Sequence, residues 1–213
     1  MHIPDGFLDT KTWVSAMGIS SASVGYGIKK LKQEFDYKKI PLMGVIAAFI
    51  FAAQMINFPV AGGTSGHLIG ALLAAAIMGP FSAMIIMSTI LIIQCFIFLD
   101  GGVTALGANI LNMGIIATWG GYCIYRLLDK ENALHPFALF VGAWVSVVIS
   151  ALAASIELAV SGTIPFSVVI PAMLFWHAII GIGEGIITVF VISYVKKVKP
   201  EMLENGGNGN GEV

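Results

Sequence analysis

The chain has 213 residues, of which 57% are hydrophobic and 11% charged, with a mean hydropathy of +0.90 and a net charge of −1. A soluble domain carries about 25% charged residues, so this composition excludes an ordinary soluble protein and defines an integral membrane one. The near-zero charge offers nucleic acid no electrostatic footing. Cys95 and Cys123 stand inside apolar runs without CxxC spacing, which excludes a disulfide framework or zinc site and leaves both as packing residues.

A spanning helix needs about 20 predominantly apolar residues, and polar, glycine and proline punctuation divides the chain into seven candidates. The first runs from Thr12 to Ile28 and stops at a lysine cluster; the second runs from Pro41 to Asn57. The third, Ser65 to Gly79, is short for a full span, and the fourth covers Phe81 to Leu99. Val103 to Leu128, His135 to Val160 and Pro171 to Val195 complete the set. Closely spaced apolar helices predict an all-α bundle of seven transmembrane helices, because backbone polar groups in lipid must be satisfied within each segment. Residues 1–196 are read as one membrane domain and residues 197–213, which hold the NGGNGNG stretch, as a disordered cytoplasmic tail.

Basic residues set the orientation. With seven spans, Lys29, Lys30, Lys32, Lys38, Lys39, Arg126, Lys130, Lys196, Lys197 and Lys199 share one side and only Lys11 lies opposite. The positive-inside rule makes the lysine-rich side cytoplasmic and places the N-terminus outside. A six-span alternative, with the third segment as a re-entrant hairpin, would put Arg126, Lys130 and the C-terminal lysines outside.

The first nine residues, MHIPDGFLD, are neither apolar enough to insert nor cationic enough to open a signal peptide. They are read as the mature start, with Met1 retained because His2 is not small. A free Met1 amine, the His2 backbone nitrogen and His2 Nδ1 can close a five-membered and a six-membered chelate ring around one ion. Three nitrogens in a plane suit Ni(II) or Cu(II). A fourth ligand calls for another imidazole. His135 falls on the cytoplasmic side at a helix start, which leaves His67, beside a glycine-rich loop, and His177, in the outer half of the last helix. Intramembrane ionisable residues are functional candidates by default, but they also serve as struts between helices.

Other polar groups lie in apolar surroundings. Asn109 and Asn112 could orient a ligating imidazole, while Glu157 and Glu184 are buried carboxylates by position, as structural acceptors or parts of a polar path. Small-xxx-small patterns at Ala48/Ala52, Ala71/Ala75 and Gly181/Gly185 permit close helix contact, inside the bundle or with another subunit.

Four stretches, MHIPDGFLD, GGTSGHLIGALLAA, ALGANILNMG and FWHAIIGIGEGIIT, together resemble the CbiM/NikM family, the substrate-binding subunits of energy-coupling-factor importers for cobalt and nickel. The resemblance spans Met1 to Val195. It implies a seven-helix protein whose N-terminal segment, residues 1–11, folds back into the bundle. It further implies that the metal is held by the Met1 amine, the His2 amide and imidazole, and the His67 imidazole. Ni(II) or Co(II) is then the transported substrate, with nickel favoured by four planar nitrogens, and no cofactor is called for. The implied partners are a transmembrane coupling subunit, two cytoplasmic ATPases and a small accessory membrane subunit, in a prokaryotic cytoplasmic membrane. The chain itself has no GxxxxGK[ST] phosphate loop. Ser65, Asn109, Asn112, His177 and Glu184 are candidates for support or gating. Two other readings compete: a rhomboid-like serine protease pairing Ser65 of Gly63-Thr64-Ser65-Gly66 with His177, and a membrane assembly subunit without metal.

Overall fold

The structure, a computed structural model, describes residues 1–34, 39–131, 135–200 and 202–203. Residues 1–9 form a strap without helix or strand, followed by α1 (Thr10–Glu34) and α2 (Ile40–Gln54). A small hairpin comes next, in which β1 (Phe58–Pro59) runs antiparallel to β2 (Ser65–Gly66). Then follow α3 (Ala71–Met78), α4 (Pro80–Ile97), α5 (Leu106–Asn109), a π-helical stretch Ile110–Ile116, α6 (Ala117–Leu128), α7 (Pro136–Val160) and α8 (Phe166–Val198). Lys38 and the NGGNGNG stretch lie outside the described residues.

Local chemistry sets the helix ends. Asp9 Oδ1 accepts the Thr12 N–H at 3.1 Å and caps α1. Pro41, Pro80 and Pro136 occupy first-turn positions, where a helix has no use for their missing N–H. His135 stands at the N-cap of α7, as its place before Pro136 suggests. Gly79, at φ 80° and ψ 160°, makes the whole connection between α3 and α4, a conformation that only glycine adopts freely.

The structure departs from the expected segments in three places. The third segment is helical only over Ala71–Met78, about 12 Å of helix. Residues 65–70 instead run as strand and loop, with the Ile69 and Gly70 N–H groups bonded to Glu184 and the Ile69 carbonyl to Gln54. The last helix begins at Phe166 rather than at Pro171, which sits inside it as the sixth residue and removes one helical hydrogen bond, that to the Ser167 carbonyl. The fifth segment widens into a π-helix at Ile110–Ile116, where Ser150 and Ser146 of α7 donate to the carbonyls of Asn112 (2.9 Å) and Ala117 (2.8 Å). A π-helical insertion disturbs the regular ladder, and these serines, one turn apart, bond carbonyls within it and at its end.

Among the described residues three helices, α4, α7 and α8, are long and apolar enough to cross a membrane; α2 is apolar but has 15 residues. Phe175, Ile179, Ile186 and Phe190 of α8 point out of the bundle, an apolar ridge suited to lipid. The small-residue positions sort by face. Gly181 and Gly185 lie against Trp144 and Phe140 of α7, and Ala71 and Ala75 are buried, whereas Ala48 and Ala52 are exposed on α2. Cys95 is buried; Cys123 is exposed, so interior packing holds for Cys95 alone.

Helices α6 and α7 touch backbone to backbone. A Cβ on Gly121 would lie 2.7 Å from Ser146 Cβ and 2.8 Å from the Gly142 carbonyl oxygen, while one on Gly18 of α1 would meet nothing within 4 Å. Gly121→Ala is therefore expected to destabilise by about 1–3 kcal/mol, and Gly18→Ala to stabilise by up to about 1 kcal/mol. Thermal unfolding in detergent reads both.

Candidate metal centre

Burying a chain terminus costs free energy unless its polar groups find partners. Met1, His2 and Ile3 are 1%, 4% and 0% exposed, and their backbone nitrogens are all bonded. The Met1 amine donates to the Ser65 carbonyl and, at 2.7 Å, to Ser65 Oγ; the His2 N–H reaches the same hydroxyl at 3.2 Å. Asn109 clamps Ile3 from both sides, its Oδ1 accepting the Ile3 N–H at 2.8 Å and its Nδ2 donating to the Ile3 carbonyl at 3.1 Å. The Gly102 N–H adds a bond to that carbonyl at 2.9 Å.

The outer half of the strap is held by carboxylates. Asp5 accepts the Thr104 N–H (2.7 Å), the Thr104 hydroxyl (2.5 Å) and the Val103 N–H (3.1 Å), just ahead of α5. The Thr104 hydroxyl and backbone bonds hold the Asp5 carboxyl below the ordinary range. The Phe7 carbonyl accepts from Thr163, and Asp9 accepts from Ser161. Gly102 allows the strap to approach, since a Cβ there would lie 2.3 Å from the Asp5 backbone nitrogen.

The buried end brings two imidazoles together. The His2 and His67 rings stack with centroids 4.6 Å apart and planes 19° from parallel. His67 Nδ1 lies 2.6 Å from the Leu68 carbonyl, which can only accept, so Nδ1 carries the proton and Nε2 the lone pair. His2 Nε2 lies 3.1 Å from Gln94 Oε1. His2 Nδ1 and His67 Nε2 are both buried without a hydrogen-bond partner, although Asp100 Oδ1 stands 3.3 Å from the former. Buried polar atoms are usually satisfied, so two unpartnered nitrogens on touching rings call for an explanation. Among the described residues no three His, Cys, Asp or Glu side chains gather to hold a metal. The nitrogens that gather here are two imidazoles and the backbone nitrogens of Met1 and His2.

The other candidate residues occupy distinct places. Ser65 joins the site through the Met1 amine and His2 amide, so its hydroxyl is not free to act as the nucleophile of a Ser65–His177 pair. His177 is fully buried on α8, its Nδ1 2.7 Å from the Met173 carbonyl and its Nε2 without a well-formed hydrogen bond; its ring interacts with the Ser65 backbone. Asn109 supports the strap backbone rather than an imidazole. Asn112 bonds Glu157 at 2.6 Å, in a separate contact between the π stretch and α7. Glu184 accepts the N–H groups of Ile69 and Gly70 at 2.6 and 2.8 Å and so holds the loop that carries His67. Sequence reasoning missed Gln54, Gln94, Asp5 and Asp100. Glutamines inside apolar runs were the available signal for the first two.

Burial pushes the Met1 amine down from 8.0 to about 4, only partly offset by Asp100. The docked amine is therefore neutral at pH 7, its lone pair available.

Comparison with known proteins places this apolar helical bundle among the metal transport proteins of the membrane. The chain belongs to the CbiM family, described as the cobalt uptake substrate-specific transmembrane region, which it matches over residues 2–202. It is 41% identical over 206 residues to a fused nickel transport protein NikMN of Archaeoglobus fulgidus, covering 96% of this chain and 68% of that protein. It is 28% identical to the cobalt transport protein CbiM of Acetoanaerobium sticklandii, covering 94% and 86%. A crystal structure of a transition metal transporter superposes with a TM-score of 0.89 at 35% identity, covering 99% of this chain and all of that one. The resemblance read from the four sequence stretches is thereby borne out.

Because the docked amine has a depressed pKa, the released strap binds more protons between pH 4 and 8. Docking is then fully favourable above pH 8 and weakens as pH falls toward 4. Hydrogen exchange at the Ile3 amide, protected by Asn109, is expected to speed up as pH drops through this window once corrected for intrinsic exchange. Gly102→Ala should remove that protection throughout.

Proposed function

We propose that the chain captures Ni(II) at the outer face of a prokaryotic cytoplasmic membrane, as the substrate-specificity subunit of an energy-coupling-factor importer. The ligands are the Met1 amine, the deprotonated His2 amide, His2 Nδ1 and His67 Nε2, arranged as a square. The observation that supports this reading is the meeting of the Met1 amine with two stacked imidazoles that each leave a buried nitrogen unpartnered.

The chemistry follows from the donor set. The ion displaces protons from the His2 amide and from any protonated amine, so affinity falls with pH. The amide anion cancels one of the two metal charges and lowers the cost of holding the ion in a low-dielectric bundle. A planar nitrogen field favours Ni(II). Co(II) is the alternative substrate.

On this reading the helices count as seven spans, with residues 65–70 and α3 together forming the third. The N-terminal strap is then extracellular and the end of α8 cytoplasmic. The chain has no nucleotide-binding loop of its own. Release therefore depends on a transmembrane coupling subunit and two ATPases that reorient or open the bundle, with a small accessory membrane subunit assisting loading.

Isothermal titration with nickel on the purified chain tests the ligand set. One extra residue before Met1 removes the amine from its place and is expected to abolish binding, as is His67→Ala, with helicity by circular dichroism unchanged. Unaltered nickel affinity in either variant would remove that group from the site.

A further inference from the structure

Behind His2 lies a chain of polar contacts that no metal ligand requires for its own burial. His2 Nε2 meets Gln94 Oε1 at 3.1 Å, Gln94 Nε2 donates to Gln54 Oε1 at 3.0 Å, and Gln54 Nε2 donates to the Ile69 carbonyl at 2.7 Å. Both glutamines are 0% exposed and stand in otherwise apolar helices, α4 and α2. The chain ends at the Ile69–Gly70 peptide, whose N–H bonds Glu184 Oε1 at 2.8 Å while Ile69 N–H bonds Oε2 at 2.6 Å.

The direction of this chain is fixed from its far end. A backbone carbonyl only accepts, so Gln54 must turn its NH2 toward Ile69 and its oxygen toward Gln94. Gln94 must then present its own NH2 to Gln54 and its oxygen to His2. An oxygen accepts, so His2 carries its proton on Nε2. Reversing either amide would set two acceptors or two donors face to face in a site that excludes water. The opposite influence is also present: Asp100 Oδ1 lies 3.3 Å from His2 Nδ1 and would stabilise a proton there. A proton on Nδ1 occupies the nitrogen needed to close the chelate.

We propose that Gln94 and Gln54 are positioning residues that carry the polarity of the Glu184-held Ile69–Gly70 peptide to His2, locking the ring with its proton on Nε2 and its Nδ1 lone pair open. The inference rests on the proposed site only in taking His2 Nδ1 as a ligand. Glu184 acquires a role by it, as the anchor of both the His67 loop and the His2 tautomer. The partners of a ligating histidine are known to tune affinity in this way.

The test reads the tautomer in the metal-free, full-length protein in detergent. Long-range proton–nitrogen spectra of protein carrying 15N-labelled imidazoles, with His2 assigned from its loss in His2→Ala, distinguish the two forms directly. The wild type is expected to show a bare Nδ1. Gln94→Leu should move the proton to Nδ1, facing Asp100, and weaken nickel binding by about 10–100-fold. Gln94→Glu, which as a neutral carboxylic acid donates its O–H to Gln54 Oε1 and accepts from His2 Nε2, should keep the wild-type tautomer and most of the affinity. Gln54→Leu, remote from the ligands, frees Gln94 to turn and should give a mixture of forms. A wild-type ring protonated on Nδ1, or a tautomer unmoved by Gln94→Leu and Gln54→Leu, overturns the proposal. So does a Gln94→Glu variant as impaired as Gln94→Leu, the order that a purely structural role for the glutamine would give. Correct tautomers in a protein that binds no nickel would support the relay and count against the nickel site instead.

Discussion

The structure depends on the burial of its own amino terminus. A chain end is ordinarily the most hydrated part of a protein, and here three residues of it are inserted among helices with almost no exposed surface. The insertion is stabilised because the bundle presents partners to the strap's amine, its first two amides and the Ile3 carbonyl. Ser65 takes the amine and the first amide, Asn109 imitates a neighbouring strand for Ile3, and Asp5 closes the segment onto the residues ahead of α5. These contacts come from the hairpin, the fifth helical rod and the loop after α4, so the strap also ties those elements to one another.

The same burial selects the chemistry. Desolvation disfavours a protonated amine and leaves a neutral donor in its place, which is the form a cation needs. Carboxylates stay at the edge: Asp5 and Asp9 are exposed and hold the strap, and Asp100 reaches His2 while keeping a fifth of its side chain open. A site with nitrogen donors at its centre and carboxylates at its margin suits late transition metals rather than calcium or magnesium, which take oxygen. The seam of α7 with α6 and the π stretch is built from small residues and serine hydroxyls, Gly121, Gly142, Ser146 and Ser150, so helices approach closely and carbonyls around the π stretch remain bonded.

Much of this was legible in the sequence where the relevant groups are close along the chain. Met1 and His2 are covalent neighbours, so the proposed chelate can be written down without a fold, and His67 stands beside a glycine-rich loop. The helices follow from apolar runs between breakers. What was not legible depends on pairing across long separations. Nothing local tells Asp5 that it will meet Thr104, or Gln94 that its amide will stand between His2 and Gln54. The loop character of residues 65–70 was hidden because their apolar neighbours read as helix, while the groups that satisfy their backbone, Gln54 and Glu184, lie on other elements. Pro171 was read as a helix start because a proline ordinarily opens a helix rather than interrupting one, and here the helix begins five residues earlier.

The central claim, a planar site of four nitrogens assembled from the chain terminus and His67, is tested most directly by X-ray absorption at the nickel edge of the loaded, untagged protein. The expected result is four short nitrogen ligands with the pre-edge signature of a square-planar ion. A six-coordinate spectrum with oxygen ligands would contradict it.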